Sequence, residues 1–216
     1  MWVSLIASLI YYVTQPWHPF TGSVVLKGLS VAPLAIMAWR VLPGREGLLL
    51  GLGLAFGSLG DVLLDLGEGM FPFGLGAFLL GHFVYIGLFW RNRPKPSRLG
   101  RFEKLMIAGL ALFAALMSAW LLPSTGMLAP AVAMYVGALT GMVVAAVAMQ
   151  LPEKLVVIGA VLFLISDTIL AVSRFKTPVP GRALLIWPTY YVGQLLIAVG
   201  FLRAKGVKAL DLQRFR

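Results

Sequence analysis

Two carboxylates stand where hydrocarbon is expected. Asp61 lies in Gly60-Asp61-Val62-Leu63-Leu64, inside an apolar run from Gly47 to Leu66. Asp167 lies 106 residues later in Ser166-Asp167-Thr168-Ile169-Leu170, again inside an apolar run. An ionisable group at membrane depth costs roughly 2.5–3.5 kcal/mol on insertion scales, so it marks function by default. A third charge, Lys27, lies early in another apolar stretch. Two carboxyls in unlike surroundings can divide the labour of acid and base: one keeps its proton, and the other, held ionised by a neighbouring Lys, orients water or stabilises a cation. That set suits acid-catalysed cleavage of an acid-labile ether through an oxocarbenium ion, by the same logic as two-carboxylate glycoside hydrolysis.

Other chemistries are poorly served. The chain has no Cys and two His, so it offers no thiolate and no three-His zinc site. A site built from a carboxylate and His82 is the remaining metal option. The serine pattern G-x-S-x-G does not occur.

The elements that must position these groups are membrane helices. Of 216 residues, 60% are hydrophobic and only 12% charged, against about 25% charged in soluble domains. Apolar runs broken by short polar or Pro/Gly stretches predict an all-α polytopic membrane protein. One transmembrane domain spans 1–216, with about eight helices at 2–14, 23–39, 47–66, 74–90, 105–122, 130–149, 154–173 and 183–202. The first is short for a span, so it is expected to tilt or to cross only in part. Its flank lacks the basic region of a cleaved signal, so it is expected to be retained. Pro33 and Pro188 fall inside helices, which membrane proteins tolerate.

The net charge of +10 is read as topology. With eight spans, fourteen of the 18 Lys and Arg residues fall on one side, among them the 91–104 loop and a basic tail at 203–216. Arg174, Lys176 and Arg182 fall on the other. The positive-inside rule places both termini in the cytoplasm and makes nucleic acid an unneeded partner.

The two Asp motifs also suggest a four-plus-four repeat in parallel orientation. Asp61 to Tyr85 and Asp167 to Tyr191 are both 24 residues. At 1.5 Å per residue, Asp61 and Asp167 lie roughly 20 Å from the cytoplasmic ends of their helices. Lys27, His82, Tyr85, Tyr190 and Gln194 fall from that level towards mid-membrane, and Ser58, Ser166 and Thr168 flank the carboxylates. Groups from five helices therefore converge on a polar cavity open to the non-cytoplasmic side or the outer leaflet. Asp65, one turn beyond Asp61, is read as a helix-end residue, and His18, beside Trp17 in a Pro-containing loop, as interfacial.

The pattern of Lys27, Gly60-Asp61-x-Leu63-Leu64, Gly76-Ala77-Phe78-Leu79-Leu80-Gly81-His82-x-x-Tyr85, Phe163-Leu164-Ile165-Ser166-Asp167-Thr168 and Tyr190-x-x-x-Gln194 resembles the YhhN family. The resemblance covers about residues 20–202. It implies an eight-helix integral hydrolase of the cell (inner or plasma) membrane that cleaves the vinyl-ether bond of lysoplasmalogens to a fatty aldehyde and a glycerophospho-headgroup. On that basis Asp61 and Asp167 are the acid/base pair, and Lys27 holds the ionised carboxylate or binds the lipid phosphate. His82, Tyr85, Tyr190, Gln194 and Ser166 position substrate or water. The implied partners are a lysophospholipid substrate and membrane lipids, and no cofactor is required. Many members carry Pro after the second-helix Lys, where this chain has Gly28. Two other readings use the same Asp pair: a small proton-coupled transporter or lipid-binding protein, and a hydrolase of another ether or ester lipid.

Overall fold

Lipid offers no partner for a backbone N–H or C=O, so each long apolar run closes its hydrogen bonds within itself as a helix. The computed structural model describes residues 1–93, 99–149 and 154–207. Parts of the expected basic loop (94–98) and tail (208–216) lie outside the described residues. The elements are α1 (Trp2–Val13), α2 (Ser23–Val41), α3 (Arg45–Asp65), α4 (Phe71–Arg91), α5 (Arg101–Leu121), α6 (Ala129–Met149), α7 (Leu155–Phe175) and α8 (Arg182–Ala204), with no strand among the described residues. Seven of these helices, α2 to α8, are long and apolar enough to cross a membrane. The chain is a polytopic membrane protein.

Helix ends depart from the sequence expectation where capping chemistry extends them. α4 begins at Phe71 because Pro72 occupies its first turn, where a missing N–H costs nothing. α5 begins at Arg101, behind Gly100 and with Glu103 in the first turn, where an acid complements the helix dipole. α1, at 12 residues, reaches only about 18 Å and is held by polar ties instead. The Ser4 hydroxyl bonds the Ser30 carbonyl of α2 and lies 2.8 Å from the Tyr191 hydroxyl of α8. The Trp187 indole donates to the Ser8 carbonyl at 3.1 Å.

The most extensive packing joins α7 with α8, and α3 with both α2 and α4; α4 also lies against α6. Close approach depends on glycine. A Cβ on Gly159 would lie 2.6 Å from the Gly193 carbonyl oxygen, and one on Gly193 would lie 2.8 Å from the Gly159 oxygen, so α7 and α8 cross backbone to backbone. α2 runs unbroken through Gly28, where a Cβ would meet Val62 at 2.9 Å and the Ser58 hydroxyl donates to the Gly28 carbonyl at 3.0 Å. α6 is the most buried of the long helices, with twelve of its 21 residues buried, and α5 is peripheral, with Leu121 alone buried.

The two ends of the bundle are tied differently. At one, the Lys205 ammonium bonds Glu46 at 2.7 Å and the Asn92 side chain, joining α8, α3 and the end of α4. At the other, Arg174 pairs with Glu68 and the Lys176 ammonium donates to the Ser124 hydroxyl, joining the α3–α4, α5–α6 and α7–α8 connections.

Candidate active site

The second of these ends opens into a cavity of about 240 Å³. Both carboxylates line it, together with Lys27, Asp65, Ser166, Tyr190, Phe78, Trp187 and, towards the mouth, His18, Glu68, Arg174 and Arg182. Asp61 and Asp167 are almost wholly buried in the fold. The tertiary structure thus brings Asp61, Asp167, Lys27, Tyr190 and Ser166 of the predicted set to one space. Tyr85, Gln194 and His82 are buried behind that space and are not among its lining residues.

Asp61 is set by a row of glycines on α3. A Cβ on Gly57 would lie 2.5 Å from the Gln194 amide nitrogen, one on Gly53 2.6 Å from the Tyr85 ring, and one on Gly60 2.6 Å from the Phe78 ring. The bare helix face admits these side chains, and Tyr85 and Gln194 form with Tyr190 a chain of hydrogen bonds to Asp61. Tyr85 donates to Gln194 Oε1 at 2.7 Å, Gln194 Nε2 reaches the Tyr190 hydroxyl at 3.4 Å, and Tyr190 donates to Asp61 Oδ2 at 2.7 Å.

Asp167 is held from the other side. The Tyr135 hydroxyl of α6 donates to Asp167 Oδ2, and His82 Nε2 of α4 lies 3.9 Å from the same oxygen. His82 is fully buried, packs edge-on against Tyr135, and has no hydrogen-bond partner on either ring nitrogen. Ser166 donates to the Ile186 carbonyl at 3.1 Å, and Thr189 donates to those of Leu185 and Ile186. Only the Ser166 bond crosses between helices, and it ties α7 to α8 next to Asp167, in the turn that contains Pro188.

Lys27 pairs with Asp65 rather than Asp61. Its ammonium is 3.6 Å from Asp65 Oδ1 and stands within cation–π range of the Tyr11 and Trp187 rings. Asp65 is not a solvated helix end: its side chain is 2% exposed and also accepts from Tyr11 at 2.8 Å and Ser23 at 2.6 Å, with His18 Nε2 at 3.0 Å. The chain from α1 to α2 thereby closes one wall of the cavity, and His18 belongs to it. At the mouth, Arg174 is neutralised by Glu68, whereas Arg182 donates to the neutral Ser173 hydroxyl at 2.9 Å.

Four residues of the site lie outside the set expected from the sequence: Tyr11 and Tyr135 as hydroxyl donors, and Asp65 and His18 as lining residues. Tyr135 carries a weak signal, a phenol about six residues into an otherwise apolar helix, close to the level of Asp167. Among the described residues no group of three or more His, Asp and Glu side chains could hold a metal ion.

A membrane bundle with three buried aspartates, Asp61, Asp65 and Asp167, on a cavity open at one end defines the class. The YhhN family profile matches residues 22–201, and the chain belongs to that family. A protein of Mycobacterium bovis named lysoplasmalogenase is 32% identical over 86% of this chain and 74% of its own length. The human lysoplasmalogenase TMEM86A is 32% identical over 92% of this chain and 87% of its own, and human lysoplasmalogenase TMEM86B 32% identical over 84% and 76%. No solved structure matches.

Proposed function

We propose that this protein is a lysoplasmalogenase-like hydrolase of the cell membrane, which cleaves the vinyl-ether bond of a lysoplasmalogen to a fatty aldehyde and a glycerophospho-headgroup. The observation that carries this reading is the pair Asp61 and Asp167. They come from separate helices to one buried cavity, and each accepts a tyrosine hydroxyl. One carboxyl delivers its proton to the β-carbon of the vinyl ether, and the C=C electrons form that C–H bond. The adjacent carbon becomes an oxocarbenium centre, which the other, ionised carboxylate stabilises. That carboxylate then takes a proton from water as the water oxygen bonds the same carbon. The resulting hemiacetal collapses with C–O cleavage, releasing the aldehyde and a glycerol hydroxyl. The sum consumes one water and leaves both carboxyls reset by proton exchange.

In this reading Tyr190, backed by Gln194 and Tyr85, orients Asp61, while Tyr135 orients Asp167 and His82 packs beside that pair. Arg182, which donates to the neutral Ser173 hydroxyl, brings the positive charge at the cavity mouth that suits the lipid phosphate, while the Lys27 and Arg174 cations that also line the cavity are paired with Asp65 and Glu68. The crossed arrangement, with Asp61 served from α8 and Asp167 faced from α4, supports a four-plus-four repeat. The charge asymmetry supports cytoplasmic termini.

The test is aldehyde release from a lysoplasmalogen by detergent-purified protein and by its Asp61→Asn and Asp167→Asn variants. Loss of release in both folded variants is expected. Wild-type turnover by both would sink the mechanism, and proton flux in liposomes without any aldehyde would favour the transporter reading.

A further inference from the structure

Asp167 also lines a second, apolar space. A narrow crevice of about 30 Å³ runs between α5, α6 and α7, walled by Phe113, Met117, Leu139, Leu164 and Ala171. Of its three hydroxyls, that of Tyr135 is given to Asp167 and that of Thr168 to the Leu164 carbonyl, while the buried Thr140 hydroxyl has no partner. What remains is a hydrocarbon slot that meets the polar cavity at one carboxyl. Its outer wall is α5, in which Leu121 alone is buried, so a chain passing there displaces little packing.

We infer that this crevice marks the path of the substrate's hydrocarbon chain, its first carbons beside Asp167 and the rest leading sideways past α5 into one leaflet; at about 30 Å³ it is far smaller than the chain, so the peripheral α5 gives way as the chain passes. The inference rests on the lipid reading proposed above. The polar cavity, at about 240 Å³, lies below the roughly 300–1,000 Å³ of sites that enclose a whole drug-sized ligand, so part of a single-chain lipid must lie elsewhere. A lysolipid is polar on one side of its scissile bond and apolar on the other. Headgroup in the cavity and chain in the crevice put that bond at the junction, against Asp167. The larger apolar hollow of about 490 Å³ towards the other end of α5, α6 and α7, around Phe102 and Ile158, includes neither carboxylate and does not offer this junction.

Two measurements test the assignment. Ala171→Phe narrows the crevice, so the ratio of kcat/KM for a hexadecenyl over a butenyl lysoplasmalogen is expected to fall at least about tenfold, the scale on which a pocket reads chain size. A ratio within about twofold of wild type in the folded variant would overturn the assignment. Independently of turnover or of the variant's folding, a hexadecyl lysophosphocholine carrying a mid-chain diazirine is photolysed with the wild-type protein and the labelled peptides are mapped. Labelling of α5 between Phe113 and Leu121 and of α7 near Ala171 supports the crevice. Labelling at the Phe102–Ile158 hollow, or elsewhere without enrichment at the crevice, overturns it. Absence of aldehyde from every chain length together with crevice labelling would remove the hydrolase reading and leave the chain site standing.

Discussion

Tyr190→Phe removes a single oxygen, the one that joins the interior chain to Asp61. In the structure the Tyr190 hydroxyl donates to Asp61 Oδ2 at 2.7 Å and is reached by Gln194 Nε2 at 3.4 Å. The ring stays anchored, because it packs edge-on against Phe78 and Phe163, which the substitution leaves in place. The loss is therefore that of one hydrogen bond to a buried carboxyl. Hydrogen bonds to charged groups contribute about 1.5–3 kcal/mol, and each 1.4 kcal/mol is a factor of ten, so kcat is expected to fall about ten- to a hundredfold. Because the bond orients the carboxyl rather than the lipid, KM is expected to change little. The assay is aldehyde release coupled to a nicotinamide-dependent alcohol dehydrogenase, with melting in detergent as the check on folding. Tyr85→Phe, one link further back, is expected to give a smaller loss. The double variant is expected to lose less than the product of the two, since Tyr85 reaches Asp61 only through Gln194 and the Tyr190 hydroxyl. A Tyr190→Phe protein that melts like wild type and keeps kcat within about twofold would refute the positioning role of the chain.

Asp61→Asn and Asp167→Asn keep side-chain volume and are expected to lower turnover by about 10²–10⁴-fold, the usual span of general acid–base catalysis, with the detergent-solubilised fold intact by melting. Gly57→Ala places a methyl 2.5 Å from the Gln194 amide nitrogen; it is expected to destabilise by about 1–3 kcal/mol and to lower kcat as Gln194 shifts, measured by melting and aldehyde release. Gly193→Val forces α7 and α8 apart at their backbone crossing and is expected to eliminate monodisperse protein in size-exclusion chromatography. Lys27→Met leaves Asp65 with its Tyr11 and Ser23 donors, so folding is expected to survive while KM rises more for a phosphate-bearing lysoplasmalogen than for the corresponding alkenyl glycerol.

The residues most visible in the sequence were those in the wrong medium. Asp61, Asp167 and Lys27 stand out against hydrocarbon because each carries a transfer cost that only a built environment offsets. The residues that build that environment were less visible. Tyr11 and Tyr135 read as ordinary aromatics, since a phenol suits a lipid interface as well as it suits a carboxylate. Asp65 sits at the end of α3, and nothing local shows that α1 and the loop bearing His18 fold over it. Lys27 could be placed at the level of both carboxylates, but a depth along a helix does not say that its ammonium pairs with Asp65 instead.

The sequence alone determined the class, the eight helices, the family resemblance and the two carboxylates, because hydrophobicity, helix length and buried charge are local properties. The tertiary structure decided how those helices are used. α5 and α6 are similarly apolar, yet α6 is the core of the bundle and α5 its rim. Lipid and protein interior are equally apolar, so composition cannot distinguish them; the small residues of α6, such as Ala138, Ala145 and Ala146, permit central packing but take effect only against particular neighbours. The same holds for the site. The pairing of Asp61 with Tyr190, of Asp167 with Tyr135 and of Lys27 with Asp65 joins residues 129, 32 and 38 positions apart, and only the packing of the helices sets those partners.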